Sequence, residues 1–187
     1  ADGPDGIIRD LIAARIEPIY EEVCKDFGGP PPVKTIIEVF PEHHLFAVRI
    51  TGRPFLHTIG ATTGRVIAMD APKAGGGAGP FCWTRVLRHE FIHTVTLEAT
   101  SYRIPHWLTE GLAVWGEGNP RPWDWCRQLS MAVRRDRLFD LESVDWAFIR
   151  PRKPGDRMLA YAQSEWMVEY LIERHGREVL GRMMKAF

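Results

Sequence analysis

His89-Glu90-Phe91-Ile92-His93 lies in a run whose apolar residues Val86, Leu87, Phe91, Ile92, Val95 and Leu97 recur at three- and four-residue spacing. That period belongs to a helix with one face turned to a core. The chain must therefore bury a helix that also carries two imidazoles and a carboxylate. On a helix, positions i and i+4 differ by about 40° of rotation and about 6 Å of rise, which turns both histidines toward one point. Such a cluster inside a core needs a strong partner, and a divalent ion supplies it. Glu90 stands beside that face, placed to take a proton from a metal-bound water without being a ligand. The plainer alternative is a buried helix whose histidines are hydrogen-bonded core residues.

A catalytic zinc normally takes three protein ligands and keeps a fourth position for water, so a third side chain is required. Downstream runs Arg103-Ile-Pro-His-Trp-Leu-Thr-Glu110-Gly-Leu-Ala-Val-Trp115, where Pro105 suits a first helical turn and Gly111 permits close helix packing. Glu110 follows His93 by 17 positions, room for one turn and a returning helix that could bring its carboxylate to the metal. His106, four residues before Glu110, could face the same point as an alternative ligand or substrate contact; a partly exposed first-turn histidine is the plainer reading.

The remaining sequence suggests the frame. Ile12, Ile16, Ile19, Val23 and Phe27 continue a helical period that predicts a helix over about 5–27, with Pro18 expected to kink or split it and Gly28-Gly-Pro-Pro-Pro32 to end it. Val33 to Phe40, His44 to Thr51 and Arg65 to Asp70 are short β-branched or aromatic runs, expected to be strands of a small sheet over about 33–70. Lys73 to Pro80 holds four glycines in eight residues and reads as a mobile loop. Helices are expected at about Trp83 to Glu98, Pro105 to Trp115, Asp124 to Arg135 and Leu159 to His175, with a short one closing a mainly helical part over 83–187. At 187 residues this is one α+β domain, its small mixed sheet laid on the histidine-bearing helix.

Composition narrows the partners. Lysine plus arginine equals aspartate plus glutamate at 24 each, so no overall field favours nucleic acid, and no apolar run reaches a membrane span. Cys24, Cys82 and Cys126 have no metal-site spacing and allow at most one disulfide. The compartment is open; export or the periplasm, with the signal missing from this chain, is the expectation.

Leu87-Arg-His-Glu-Phe-Ile-His93 followed by Ile104-Pro-His-Trp-Leu-Thr-Glu-Gly-Leu-Ala113 resembles the peptidase MA-like domains of the gluzincin clan. Phe46-Ala-Val-Arg49, Thr51 to Gly64 and Val66-Ile-Ala-Met-Asp-Ala-Pro72 are similar to the strand and loop pattern of those domains, and Tyr161-Ala-Gln-Ser164 with its helix to their C-terminal part. The resemblance implies a zincin-like fold, bound Zn2+, a peptide or protein substrate, His89, His93 and Glu110 as ligands, and Glu90 as general base. It also implies that the Arg65 to Asp70 strand is an edge lining the cleft. A peptide is then expected to lie extended along it, with Lys73 to Pro80 bordering the cleft.

The chain departs from thermolysin-like members at Val114, where they carry an aspartate that steadies a zinc histidine; Glu117 is the substitute at hand. The Gly-x-Met-Glu-Asn signature that captures a free amino terminus is absent, so endopeptidase action is the expected form. Tyr161 is either a core tyrosine or, as the resemblance favours, a donor to the oxyanion of peptide hydrolysis; Arg157 and Arg103 are weaker candidates. His57 could approach the cleft, while His43, His44 and His175 read as surface residues. Trp123-Asp-Trp125 reads as core and cleft wall, or as a sugar platform. The alternatives to a peptidase are a non-catalytic zinc-containing binding or scaffold domain adjoining helical repeats, and a hydrolase of other acyl groups.

Overall fold

The computed structural model describes residues 4–72 and 81–187, with side chains from Arg9 onward. The expected Lys73 to Pro80 loop lies outside the described residues. In chain order the elements are α1 (Pro4–Asp26), β1 (Ile36–Phe40), α2 (His43–Thr51), β2 (Gly60–Thr63), β3 (Val66–Asp70) and α3 (Trp83–Ala99). There follow α4 (His106–Gly116), α5 (Trp123–Arg134), α6 (Leu141–Ile149), α7 (Asp156–His175) and α8 (Val179–Ala186). Over the described residues the protein is thus mixed α+β, with a three-stranded sheet and a mainly helical remainder.

Helix α1 runs through Pro18 undivided, contrary to the expected split. Pro18 and Ala14, whose carbonyl loses its partner, are both exposed, so the freed group is open to solvent while Ile19, Val23 and Phe27 stay buried.

The segment expected as a strand over His44 to Thr51 is helix α2. Phe46 and Ala47 are adjacent and both buried, while His43 and Ile50 are half-buried. Burial at i, i+3, i+4 and i+7 is a helical face, whereas a strand would turn adjacent residues to opposite sides. Packing overrides the local strand preference of Val48, Ile50 and Thr51. His43, expected at the surface, sits half-buried with Nδ1 2.7 Å from Asp70 Oδ2 and Nε2 2.7 Å from the Leu56 carbonyl. It ties α2 to the end of β3.

The strand order is β1-β3-β2. β1 runs parallel to β3, with Ile36 opposite Val66 and Phe40 opposite Asp70; β2 runs antiparallel to β3, with Gly60 opposite Met69 and Thr63 opposite Val66. The strand at Arg65 to Asp70 is therefore central and paired on both sides, not the expected edge. Its uninterrupted Val66-Ile-Ala-Met69 is the pattern of a strand covered on both faces. Among the described residues the edge nearest the site is β2, a four-residue Gly-Ala-Thr-Thr strand whose only β-branched residues are two threonines and which has no large apolar side chain to announce it.

β2 and β3 pack on α3, as does α1, and α4 packs between α3 and α7. Gly111 makes that last contact possible: a Cβ there would stand 2.6 Å from the Ser164 carbonyl oxygen. Apolar residues from α1, β3, α3, α4, α6, α7 and α8 join in one core cluster around Phe27, Leu87, Phe91, Leu108, Leu112 and Leu180. Among the described residues no helix is long and apolar enough to cross a membrane.

Candidate metal and catalytic site

His89 and His93 occupy successive turns of α3, and their Nε2 atoms approach to 3.1 Å. Thr100 caps α3, after which Ser101 and Tyr102 take left-handed backbone at φ 50° and 61° and turn the chain back toward α4. Asp145 from α6 accepts the Trp107 backbone N–H at 2.6 Å, serving an orphan donor of the first turn of α4. Glu110, one turn on, brings Oε2 within 3.6 Å of Nε2 of both histidines.

Hydrogen-bond accounting assigns the ring protons. Thr96 Oγ1 donates its one hydrogen to the Ile92 carbonyl at 2.8 Å, so in its 3.0 Å contact with Thr109 Oγ1 the Thr109 hydroxyl is the donor. Thr109 Oγ1 then accepts from His93 Nδ1–H at 2.8 Å, which turns the lone pair of Nε2 toward His89 and Glu110. On the other ring, the carboxylate of Glu117 can only accept, so His89 Nδ1–H donates to Glu117 Oε1 at 2.8 Å. The second oxygen of Glu117 pairs with Arg85 at 3.3 Å. Both imidazoles are thus oriented from behind, as ligating histidines are.

Two ring nitrogens and a carboxylate oxygen meeting at such distances require a positive charge among them, a proton or a metal ion. Burial opposes charge on His89, yet the neighbouring carboxylates of Glu110, Glu117 and Glu90 raise its imidazole to about 10. Burial likewise pushes Glu110 up, but its histidine neighbours outweigh this and hold it well below the usual carboxylate range. Glu110 Oε2 is buried and has no hydrogen-bond partner among the described residues.

The donor set fits a tetrahedral ion. Ligands 2.0–2.1 Å from one zinc stand about 3.3 Å apart, and the three separations here are 3.1, 3.6 and 3.6 Å. His89, His93 and Glu110 are the one group of metal-binding geometry among the described residues.

Glu90 is buried and outside that group. Thr62 of β2 donates to its Oε2 at 2.6 Å. Gly60 lies so close that a Cβ there would stand 2.9 Å from Glu90 Oε1 and 2.7 Å from Val86 Cγ1. The sheet edge and the α3 carboxylate are in direct contact.

Tyr161 of α7 is half-buried, edge-on to Phe148 at 4.9 Å and stacked on Trp125 at 5.6 Å. Burial pushes its hydroxyl up, Glu110 pushes it further with smaller contributions from Glu90 and Glu117, and Arg157 opposes them. It stays a neutral donor within the field of the site. His106 is neither a member of the convergent group nor a bare surface residue: its Nε2 meets Glu110 Oε1 at 3.1 Å.

His57 is exposed, and Arg103 and Arg157 donate to the Thr100 and Phe148 carbonyls. Trp123 is exposed with Arg127 over its ring. Thr109 stands inside the Trp-Leu-Thr-Glu-Gly segment with no role assigned to its hydroxyl, and the only sequence signal of Thr62 is a hydroxyl in an unremarked position.

Residues 74–187 match the profile of the peptidase MA superfamily. The chain belongs to that superfamily. Comparison with curated proteins and with solved structures finds no match. Peptidase MA membership brings peptidase-type hydrolysis of a peptide or protein substrate, in a superfamily whose members are typically metal-dependent, and the matched residues include His89, Glu90, His93, Glu110 and Tyr161.

Proposed function

We propose that this chain is a zinc endopeptidase of the gluzincin type, residues 1–187 acting as one zincin-like catalytic unit. His89, His93 and Glu110 are its metal ligands, Glu90 its general base and Tyr161 its oxyanion donor. The observation that carries this reading is Glu110 Oε2, buried with no hydrogen-bond partner among the described residues and 3.6 Å from Nε2 of both histidines.

Bound zinc would supply a Lewis acid for the scissile carbonyl and acidify water to a pKa near 7. The chain does the rest. Glu90 takes a proton from the attacking water and passes it to the leaving amine, with Thr62 holding one carboxylate oxygen and leaving the other as the base. Tyr161 donates to the carbonyl oxygen as it gains charge. Among the described residues strand β2 has a neighbour on one side within the sheet, so its outer backbone groups can hold an extended peptide in register beside Glu90. That edge replaces the one expected at Arg65 to Asp70.

The test is cleavage of an unbiased peptide library by zinc-loaded wild type and by Glu90→Gln. Internal cleavage by the wild type, lost in Glu90→Gln with zinc retained, is the expected result. Removal of terminal residues alone would refute endopeptidase action, and an inert zinc-loaded wild type would point to a non-catalytic scaffold.

A further inference from the structure

The two oxygens of Glu110 are committed differently. Oε2 faces the two ring nitrogens, while Oε1 meets His106 Nε2 at 3.1 Å. An ionised carboxylate can only accept, so His106 Nε2–H is the donor. The His106 ring lies flat on Phe148, centroids 5.0 Å apart and planes within 4°. Phe148 belongs to α6, and that helix is joined to α4 by the Asp145 bond to the Trp107 N–H and to α7 by the Arg157 bond to the Phe148 carbonyl. The imidazole is therefore held in plane by a separate helix while pointing its proton at one chosen oxygen. A side chain left 40% exposed at the first residue of α4 gains little from burial, so this ring is not simply a core residue.

We infer that His106 is a positioning residue that makes Glu110 a one-oxygen ligand: its Nε2–H occupies Oε1, so that Oε2 alone is offered to the metal. Without that bond the carboxylate is free to turn about its terminal torsion or to bind through both oxygens. The second oxygen would then crowd the position that a catalytic zinc keeps open. The inference rests on the zinc reading of the site. It adds a residue outside the three ligands and explains why a histidine sits one turn before the ligand glutamate, over an aromatic ring.

Zinc affinity, measured at pH 7.5 by competition with a chromophoric chelator, tests this without reference to turnover. His106→Phe keeps an aromatic ring over Phe148 and removes the donor; it is expected to weaken zinc binding by about tenfold or more, the usual effect of losing an outer hydrogen-bond partner. His106→Gln restores a donor at similar reach and is expected to stay within about threefold of wild type. His106→Ala, at an exposed first-turn position, repeats the loss should phenylalanine disturb packing. A wild type that binds one zinc, with His106→Phe and His106→Ala binding it equally well, overturns the inference and leaves the proposed function standing. Equal weakening in His106→Gln overturns it too, because the donor would not be what matters. A wild type that binds no zinc removes the proposed function and this inference together.

Discussion

Glu117 Oε1 lies 2.8 Å from His89 Nδ1, and Glu117 is the C-cap of the same helix that presents Glu110. One helix thus supplies both the third candidate ligand and the group that fixes the first. Thermolysin-like members place that second carboxylate four residues after the ligand glutamate, where this chain has Val114; here it comes from the end of the helix. Glu117→Ala is expected to weaken zinc binding by about 10- to 100-fold with the fold retained. Chelator competition together with circular dichroism checks it, and unaltered affinity would reduce Glu117 to an ion-pair partner of Arg85.

Thr62 donates to Glu90 at 2.6 Å. A hydrogen bond to a charged group contributes about 1.5–3 kcal/mol, so Thr62→Val is expected to lower kcat by roughly tenfold or more at unchanged zinc stoichiometry. Thr62→Ser keeps the hydroxyl and should remain near wild type. Gly60→Ala would put a methyl 2.9 Å from Glu90 Oε1 and should lower kcat by displacing the same carboxylate. Wild-type turnover in both Thr62→Val and Gly60→Ala would separate the sheet edge from the chemistry.

Tyr161→Phe removes one donor and leaves the Phe148 and Trp125 contacts in place. Loss of an oxyanion donor costs about 10²- to 10³-fold in kcat, with little change in KM. Steady-state kinetics on a cleaved library peptide reads it. Unchanged turnover would return Tyr161 to the core.

The raised pKa of His89, about 10, belongs to the metal-free protein. It stands above the ordinary value of 6.5, so the stabilisation it brings is fully present below pH 6.5 and is lost as pH rises through about 10. The melting temperature of metal-free protein should accordingly fall between pH 7 and 10, by an amount on the order of a few kcal/mol in stability. Zinc replaces that proton, so binding at pH 7.5 should release about one proton per metal. Calorimetry in two buffers of different ionisation enthalpy counts it; zero release would mean that His89 is already neutral.

Much of this site can be read along the chain, because its determinants are local. The i, i+4 histidines, the apolar period of α3 and the Pro105-to-Gly111 segment of α4 declare a helix and its return without reference to the rest of the fold. What stayed hidden depends on partners far away. Thr62 precedes Glu90 by 28 residues and His43 precedes Asp70 by 27, so neither a hydroxyl nor a lone histidine announced its role. Helix α2 departs from the expected strand because Val48, Ile50 and Thr51 favour a strand locally, while the buried pair Phe46 and Ala47 decides the matter only against β1 and β3. Strand β2, Gly-Ala-Thr-Thr, carries little apolar signal beside the more hydrophobic β3, which the family resemblance marks as the edge. Glu117 could be named but not placed, since its reach depends on how α4 ends.

The most direct measurement is the zinc content and affinity of wild type, His89→Ala, Glu110→Ala and Glu90→Gln prepared in parallel at neutral pH, away from chelators and acid. One tightly held zinc per chain in wild type and in Glu90→Gln, with loss in His89→Ala and marked weakening in Glu110→Ala, is the expected result. Full, tight zinc in Glu110→Ala, or its loss in Glu90→Gln, would contradict the assignment of Glu110 as ligand and Glu90 as base.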